Sequence, residues 1–257
     1  MVAPEQFEPV AYEEQVIGEA DPRARYLGLG IVFLIVCILC VVIYALLTGV
    51  FGTSAPRTLL EASGERAETA VLESPGSGLA WSALAASRYA AGDTEGAWDA
   101  IAQGAAKVKD HSILNVHTRE LEFLIYEGRD QEALAKALEY VKAEEEYRLR
   151  EAQENAAKGI TVPAGSGDYG ETGRLYVLQA SAQGNLEMWA DAIASLSIAL
   201  ELDDKAADVH TLRGWAKFRS GDTAGAKADF EAALRYIPDY ESARQGLEAV
   251  GSGGADE

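Results

Sequence analysis

The sequence predicts an all-α protein: a solenoid of helical hairpins preceded by one N-terminal transmembrane helix. Three observations carry this prediction. Residues 26–55 hold no charged side chain, and 27–50 is almost wholly apolar. The hexapeptide Gly92-Asp93-Thr94-Glu95-Gly96-Ala97 recurs as Gly221-Asp222-Thr223-Ala224-Gly225-Ala226, each between two apolar-periodic stretches. Ala192 and Ala226 stand 34 residues apart, within the period range of paired-helix repeats.

Residues 1–25 form an acidic tail with six carboxylates and two arginines. Pro4, Pro9 and Pro22 interrupt any helical period, so the tail reads as irregular. Phe7, Val10, Tyr12, Val16 and Ile17 are its candidate docking residues. The chain as a whole carries 41 acids against 22 bases, a net charge of −19, and −15 of that follows the apolar segment. Nucleic acid and anionic lipid headgroups are poor partners for such a surface.

The apolar segment, 26–50, is the expected transmembrane helix. About 24 residues at ~1.5 Å each give ~36 Å, enough to cross a ~30 Å hydrocarbon core. Its length and its position after a polar tail favour an uncleaved anchor over a signal peptide. Arg23 and Arg25 lie immediately before it and Arg57 and Arg66 further beyond it, which places the N-terminus in the cytoplasm and the following domain outside. Gly30, Cys37, Cys40, Tyr44 and Thr48 share one helical face, beside a small-x-x-x-small pair at Ala45 and Gly49. That face is either incidental to an apolar run or a helix–helix contact in the bilayer, with a partner subunit or a second copy. Cys37 and Cys40 are the chain's two cysteines, with no His or acid near them, so membrane packing is expected rather than metal or redox work. The remainder must fold without disulfides.

Residues 51–73 read as a linker and an N-terminal capping helix, and 74–250 as the solenoid. Asp and Thr of each Gly-Asp-Thr turn are expected N-caps of the helix that follows. The clearest unit runs from Ala207 to Pro238, with Gly214, the Gly221-Asp222 turn, Ala226, Phe230 and Ala233. The unit before it shows Tyr176, Ala180, Ala192, Leu196, Ala199 and Leu200. Two earlier units contain Trp81, Leu84, Ala85, Ala97, Ile101 and Gly104, then His117, Leu121, Leu124, Gly128, Ala133, Ala137 and Tyr140. On these residues the chain resembles the tetratricopeptide repeat (TPR) family, and its layout resembles the single-pass, membrane-anchored bacterial type. The resemblance implies stacked helix pairs, a closing helix over 240–250 and a concave groove lined by the first helix of each pair.

The third unit is displaced. Ala133 and Ala192 are 59 residues apart, 25 more than one period. A single helix from Gln131 to about Ala157 is expected to project beyond the solenoid, followed by a Gly-rich return loop, so the insertion occupies about 143–170. Glu144 with Arg148, and Glu146 with Arg150, are expected to pair along a solvated face. Residues 251–257 read as a flexible end.

No catalytic constellation is evident, and no cofactor or metal is expected. His117 and His210 fall at matching places in repeat helices and read as packing residues. The run Pro163 to Gly170 lacks the lysine and preceding strand of a phosphate loop. Binding remains. The resemblance implies a partner-binding groove with Tyr89, Asn115, Thr118, Glu122, Tyr126, Arg174, Asp208, Trp215, Phe218 and Arg219 as its principal candidates, about half of which are expected to serve internal packing. Leu79, Ser82, Val177, Ser181 and Thr211 lie on the same helices. Ser82 and Ala86 stand where the carboxylate-clamping branch of the family uses Lys and Asn, so that activity is not carried over. The expected function is a non-enzymatic, membrane-tethered scaffold, assembly factor or chaperone that binds a peptide or partner protein. The alternative is a permanent accessory subunit of a membrane complex.

Overall fold

The computed structural model describes residues 58–160 and 170–253. The expected tail and transmembrane helix, with the face Gly30, Cys37, Cys40, Tyr44 and Thr48, lie outside the described residues, as do 161–169 and 254–257. Among the described residues there are ten α-helices and no strand, and no helix is long and apolar enough to cross a membrane.

The stack opens with a single helix, α1 (Leu59–Glu73). Thr58 starts it with a capping box: its hydroxyl accepts from the Glu61 N–H at 3.1 Å, and the Glu61 carboxylate accepts from the Thr58 N–H at 3.0 Å. Four hairpins follow: α2 (Gly78–Ala90) with α3 (Thr94–Lys107), α4 (Leu114–Tyr126) with α5 (Asp130–Ala157), α6 (Gly170–Asn185) with α7 (Trp189–Leu202), and α8 (Ala207–Arg219) with α9 (Thr223–Tyr236). A closing helix, α10 (Glu241–Gly253), rests on α9 and α8. This is a TPR-like arrangement. The closing helix runs three residues further than expected, taking Gly251, Ser252 and Gly253 out of the flexible end.

The repeated hexapeptide does what its chemistry predicts. Gly92 and Gly221 take φ of +82° and +90°, a region that costs glycine nothing. Asp93 and Asp222 then each accept an N–H, from Gly96 and Gly225, at 2.9 Å. Gly128 turns the second hairpin in the same way, with φ +71°. In the third hairpin that slot is held by Glu187, at φ +60°.

Helices approach closely because alanine lines the contacts. Ala85, Ala97, Ala100, Ala133, Ala137, Ala199, Ala226, Ala233 and Ala243 are fully buried. Between them sit Trp81, Leu84, Leu121, Leu124, Leu175 and Phe230. Each such large side chain contributes about 1.5–3 kcal/mol by leaving water. The Trp81 indole is also satisfied, donating to the Pro75 carbonyl at 2.9 Å.

The long helix is present as expected, with all of 148–160 exposed except a half-buried Asn155. One expectation about it is corrected. Glu144 does not sit on a solvated face and does not pair with Arg148; it is 3% exposed. The His111 ring lies 2.7 Å from its carboxylate, and the Thr172 hydroxyl donates to it at 2.8 Å. Tyr147 stacks on His111 at 4.0 Å. Glu144 thus joins the 3-10 turn His111–Ile113, α5 and the start of α6 at the point where the arm leaves the stack. Arg150 does not pair with Glu146 in the structure; its guanidinium lies over the Tyr147 ring.

Candidate functional site

The first helices of the hairpins, α2, α4, α6 and α8, carry the candidate groove. α2 packs on α4, and α4 on α6. A polar ladder crosses these two seams. Arg119 donates to the Ser82 hydroxyl at 3.3 Å and to Glu122 at 2.6 Å. Glu122 also accepts from Arg174, whose other nitrogen lies 3.5 Å from Glu171. The Thr118 hydroxyl, itself buried, lies 2.6 Å from the Glu171 carboxylate. Burial opposes the Arg174 charge, and the hydrogen bond and field of Glu122 outweigh it, raising the guanidinium above its ordinary range. Glu122 and Arg174 therefore bind each other across the α4–α6 seam, and Thr118 crosses the same seam to Glu171, which also meets Arg174. The Asn115 side chain bonds the Ser112 carbonyl at 3.1 Å.

Tyr89 and Tyr126 lie together at the C-terminal ends of α2 and α4. Tyr89 stacks on buried Phe123 at 4.2 Å, and Tyr126, 81% exposed, meets Tyr89 edge-on at 5.8 Å. Burial, then the Glu127 charge, push the Tyr89 phenol up. Asp208 stands exposed in the first turn of α8. Phe218 is half-buried against Trp215, and Trp215 rests edge-on to the core ring of Phe230 at 5.3 Å. Arg219 is exposed, and among the described residues no carboxylate forms an ion pair with it.

The third seam differs from the first two. α6 and α8 both pack on α7 but make no comparable packing with each other, and no side-chain hydrogen bond or ion pair joins them. A cleft of about 300 Å³ opens between them. Its floor is small: Ala180, Gly184, Ala192 and Ala216. Its walls are Trp189, Leu196, Leu212 and Trp215, with Ser181, Asn185 and Arg219 at the polar edge. Of the sequence candidates, Trp215, Arg219 and Ser181 meet here. Trp189 and Leu196 lie on α7, a second helix outside the first-helix groove pattern, and Leu212 lies on α8 at a position that pattern leaves out. The available signal was Trp189, a large aromatic in the first turn of a helix, beside an outward-facing leucine at 212.

A second trough, of about 740 Å³, runs between α1 and α2 over Ala67, Ala70, Ala80, Ala83 and Ala86. Leu60 and Leu79 rim it, and Leu79 is 65% exposed. Between α8 and α9, Asp229 is buried and accepts from Nε and Nη2 of Arg213, at 2.9 and 2.7 Å, with the Lys217 ammonium at 2.9 Å. Burial opposes the Asp229 charge, and the Arg213 and Lys217 bonds overcome it, holding the carboxyl below its ordinary range. His117 stacks on Tyr140 at 3.8 Å and His210 on Tyr236 at 6.0 Å. Among the described residues no group of three or more His, Cys, Asp or Glu is disposed to hold a metal ion.

No family model and no curated protein matches the chain. Among solved structures it is similar to the first TPR of Spaghetti (RPAP3) bound to an HSP90 peptide, at 20% identity and TM-score 0.45, covering 57% of this chain and 96% of that one. It is similar to YrrB, a TPR protein with an unusual peptide-binding site, at 14% identity and TM-score 0.49, covering 76% and 87%. It is also similar to Cut9 in the APC/C hetero-tetramer Cut9-Hcn1, at 15% identity and TM-score 0.40, covering 75% and 39%. The chain's own helix pairs, rather than these distant likenesses, define the fold.

Proposed function

We propose that this chain is a non-enzymatic protein-interaction module, tethered to the cell membrane by residues 26–50 and binding a partner polypeptide in the α6–α8 cleft. The observation that supports this most is the open third seam. Two neighbouring seams of the same stack are closed by packing and by the Arg119, Glu122 and Arg174 ladder, whereas this one leaves tryptophan and leucine surface at the surface. Aromatic and arginine side chains are the types that dominate interface energy. The polar ladder ties α2, α4 and α6 together, and the cleft is where a partner side chain can still enter. In this reading the tail is cytoplasmic, the solenoid lies outside, and the module serves as a scaffold, assembly factor or chaperone of bacterial type.

A second reading, a permanent accessory subunit, draws support from the α1–α2 trough. Leu60 and Leu79 on its rim are 41% and 65% exposed, apolar surface that a fixed integral neighbour would cover. The test is purification of the intact protein from native membranes in mild detergent, wild type beside Leu212→Asp. Companions that depart with Leu212→Asp support the cleft. A constant-ratio set of integral companions that ignores Leu212→Asp supports the subunit reading, and neither outcome would stand if the protein is found only in the soluble fraction.

A further inference from the structure

The charge lining the α6–α8 cleft is opposite to that of the chain around it. The protein carries −19 overall, yet none of the eleven residues lining the cleft is acidic. Arg219 is the one charged group among them, and no carboxylate of the described residues forms an ion pair with it. Asn185, a polar lining residue on α6, is turned to Asp130, to which its amide donates at 2.7 Å. The cleft therefore offers apolar walls, a floor of small residues and a cationic edge.

We infer that the cleft takes a short peptide segment of a partner protein in which a large apolar side chain is followed or preceded closely by Asp or Glu. This rests on the reading of the cleft as the partner site and adds the chemistry of its ligand. The apolar side chain enters between Trp189, Leu196, Leu212 and Trp215, over Ala180, Gly184, Ala192 and Ala216. The floor alanines and glycine leave room for a bulky group, and a small one would leave the indoles wet. The carboxylate meets the Arg219 guanidinium, whose planar fork suits two parallel hydrogen bonds. A lysine side chain is attracted by indole faces but is repelled by Arg219, so a basic ligand is disfavoured. The excess of carboxylates elsewhere on the protein would repel an acidic segment from other surfaces and leave this cleft as the favourable seat.

The test is selection from a displayed library of random peptides on the full-length protein in detergent, followed by affinity measurement with synthetic peptides. Selected sequences are expected to pair a large apolar residue with Asp or Glu, and to lose binding on Leu212→Asp. Arg219→Glu is expected to weaken them at least tenfold, and to favour versions with Lys in place of the acid. Arg219 is exposed and Leu212 is on the rim, so neither substitution threatens the fold. Peptides that depend on Leu212 but bind equally well with Asn or Gln replacing the acid, or that ignore Arg219→Glu, would overturn the charge rule and leave the cleft as a partner site. Selected peptides indifferent to Leu212→Asp, or none selected at all, would overturn both.

Discussion

Gly246→Ala tests how the solenoid is closed. Phe230 is fully buried between two glycines, Gly214 on α8 and Gly246 on α10. A Cβ at Gly246 would lie 2.4 Å from two ring atoms of Phe230 and 2.7 Å from a third. The same ring atoms are also crowded from α8, since a Cβ at Gly214 would be 2.7 Å from the ring. Alanine favours a helix interior over glycine by ~1 kcal/mol. Overpacking a filled site costs ~1–3 kcal/mol, and three contacts this short put the cost at or above the upper end. The expected net loss is ~2 kcal/mol, or ~4–8 °C in Tm for a region of this size. Gly251→Ala is the internal control: same helix, nothing within 4 Å, and an expected change of no more than a few tenths in the stabilising direction. Phe230→Leu in the Gly246→Ala background should recover at least ~1 kcal/mol of coupling, read by denaturation followed by circular dichroism. A Gly246→Ala protein as stable as Gly251→Ala would show that α10 is not seated on Phe230.

Three further outcomes are expected. Glu187→Gly should stabilise by ~0.5–1 kcal/mol, because a left-handed residue costs a side chain ~1–2 kcal/mol and glycine returns part of that through its freer unfolded chain; a loss of stability would contradict the turn geometry. Glu144→Ala should cost ~2–3 kcal/mol, since it removes two charge-assisted hydrogen bonds that hold the start of α6, with hydrogen exchange rising there first. Burial holds the His117 imidazole below its ordinary 6.5 despite Glu120 and Glu139. The unfolded chain takes up that proton first, so stability should fall as pH drops below about 6.5, by at most ~1.4 kcal/mol per unit for this group. His117→Phe should remove that component between pH 7 and 5.5 in urea titrations; an unchanged slope would assign it elsewhere.

What the sequence made legible was local. The Gly-Asp-Thr hexapeptides state a turn and a cap in adjacent residues, and Asp93 and Asp222 perform that role. Alanine spacing located the hairpins, and the excess between Ala133 and Ala192 located the long helix. What was not legible depends on partners distant in sequence. Glu144 looks like one of three solvated carboxylates until His111 and Thr172, 33 and 28 residues away, are folded against it. Thr118 and Arg174 read from the sequence as groove residues, and their part in a ladder that only the stacking of α2, α4 and α6 creates is not visible there. The cleft required knowing that α6 and α8 stand apart, a property of the seam and of no single residue. Leu212 then becomes a wall, and Trp189, in a helix that the groove pattern ignores, becomes its neighbour.

The central claim is that a partner enters between α6 and α8. The most direct measurement places a photo-crosslinking residue at Leu212, and separately at Lys227 on the exposed face of α9, in the full-length protein in its native membranes. Irradiation is predicted to give a discrete adduct of constant mass from position 212 and none from 227, with the position-212 adduct reduced by Trp215→Ala. No adduct from 212, or the same adducts from both positions, would contradict the assignment of this cleft as the partner site.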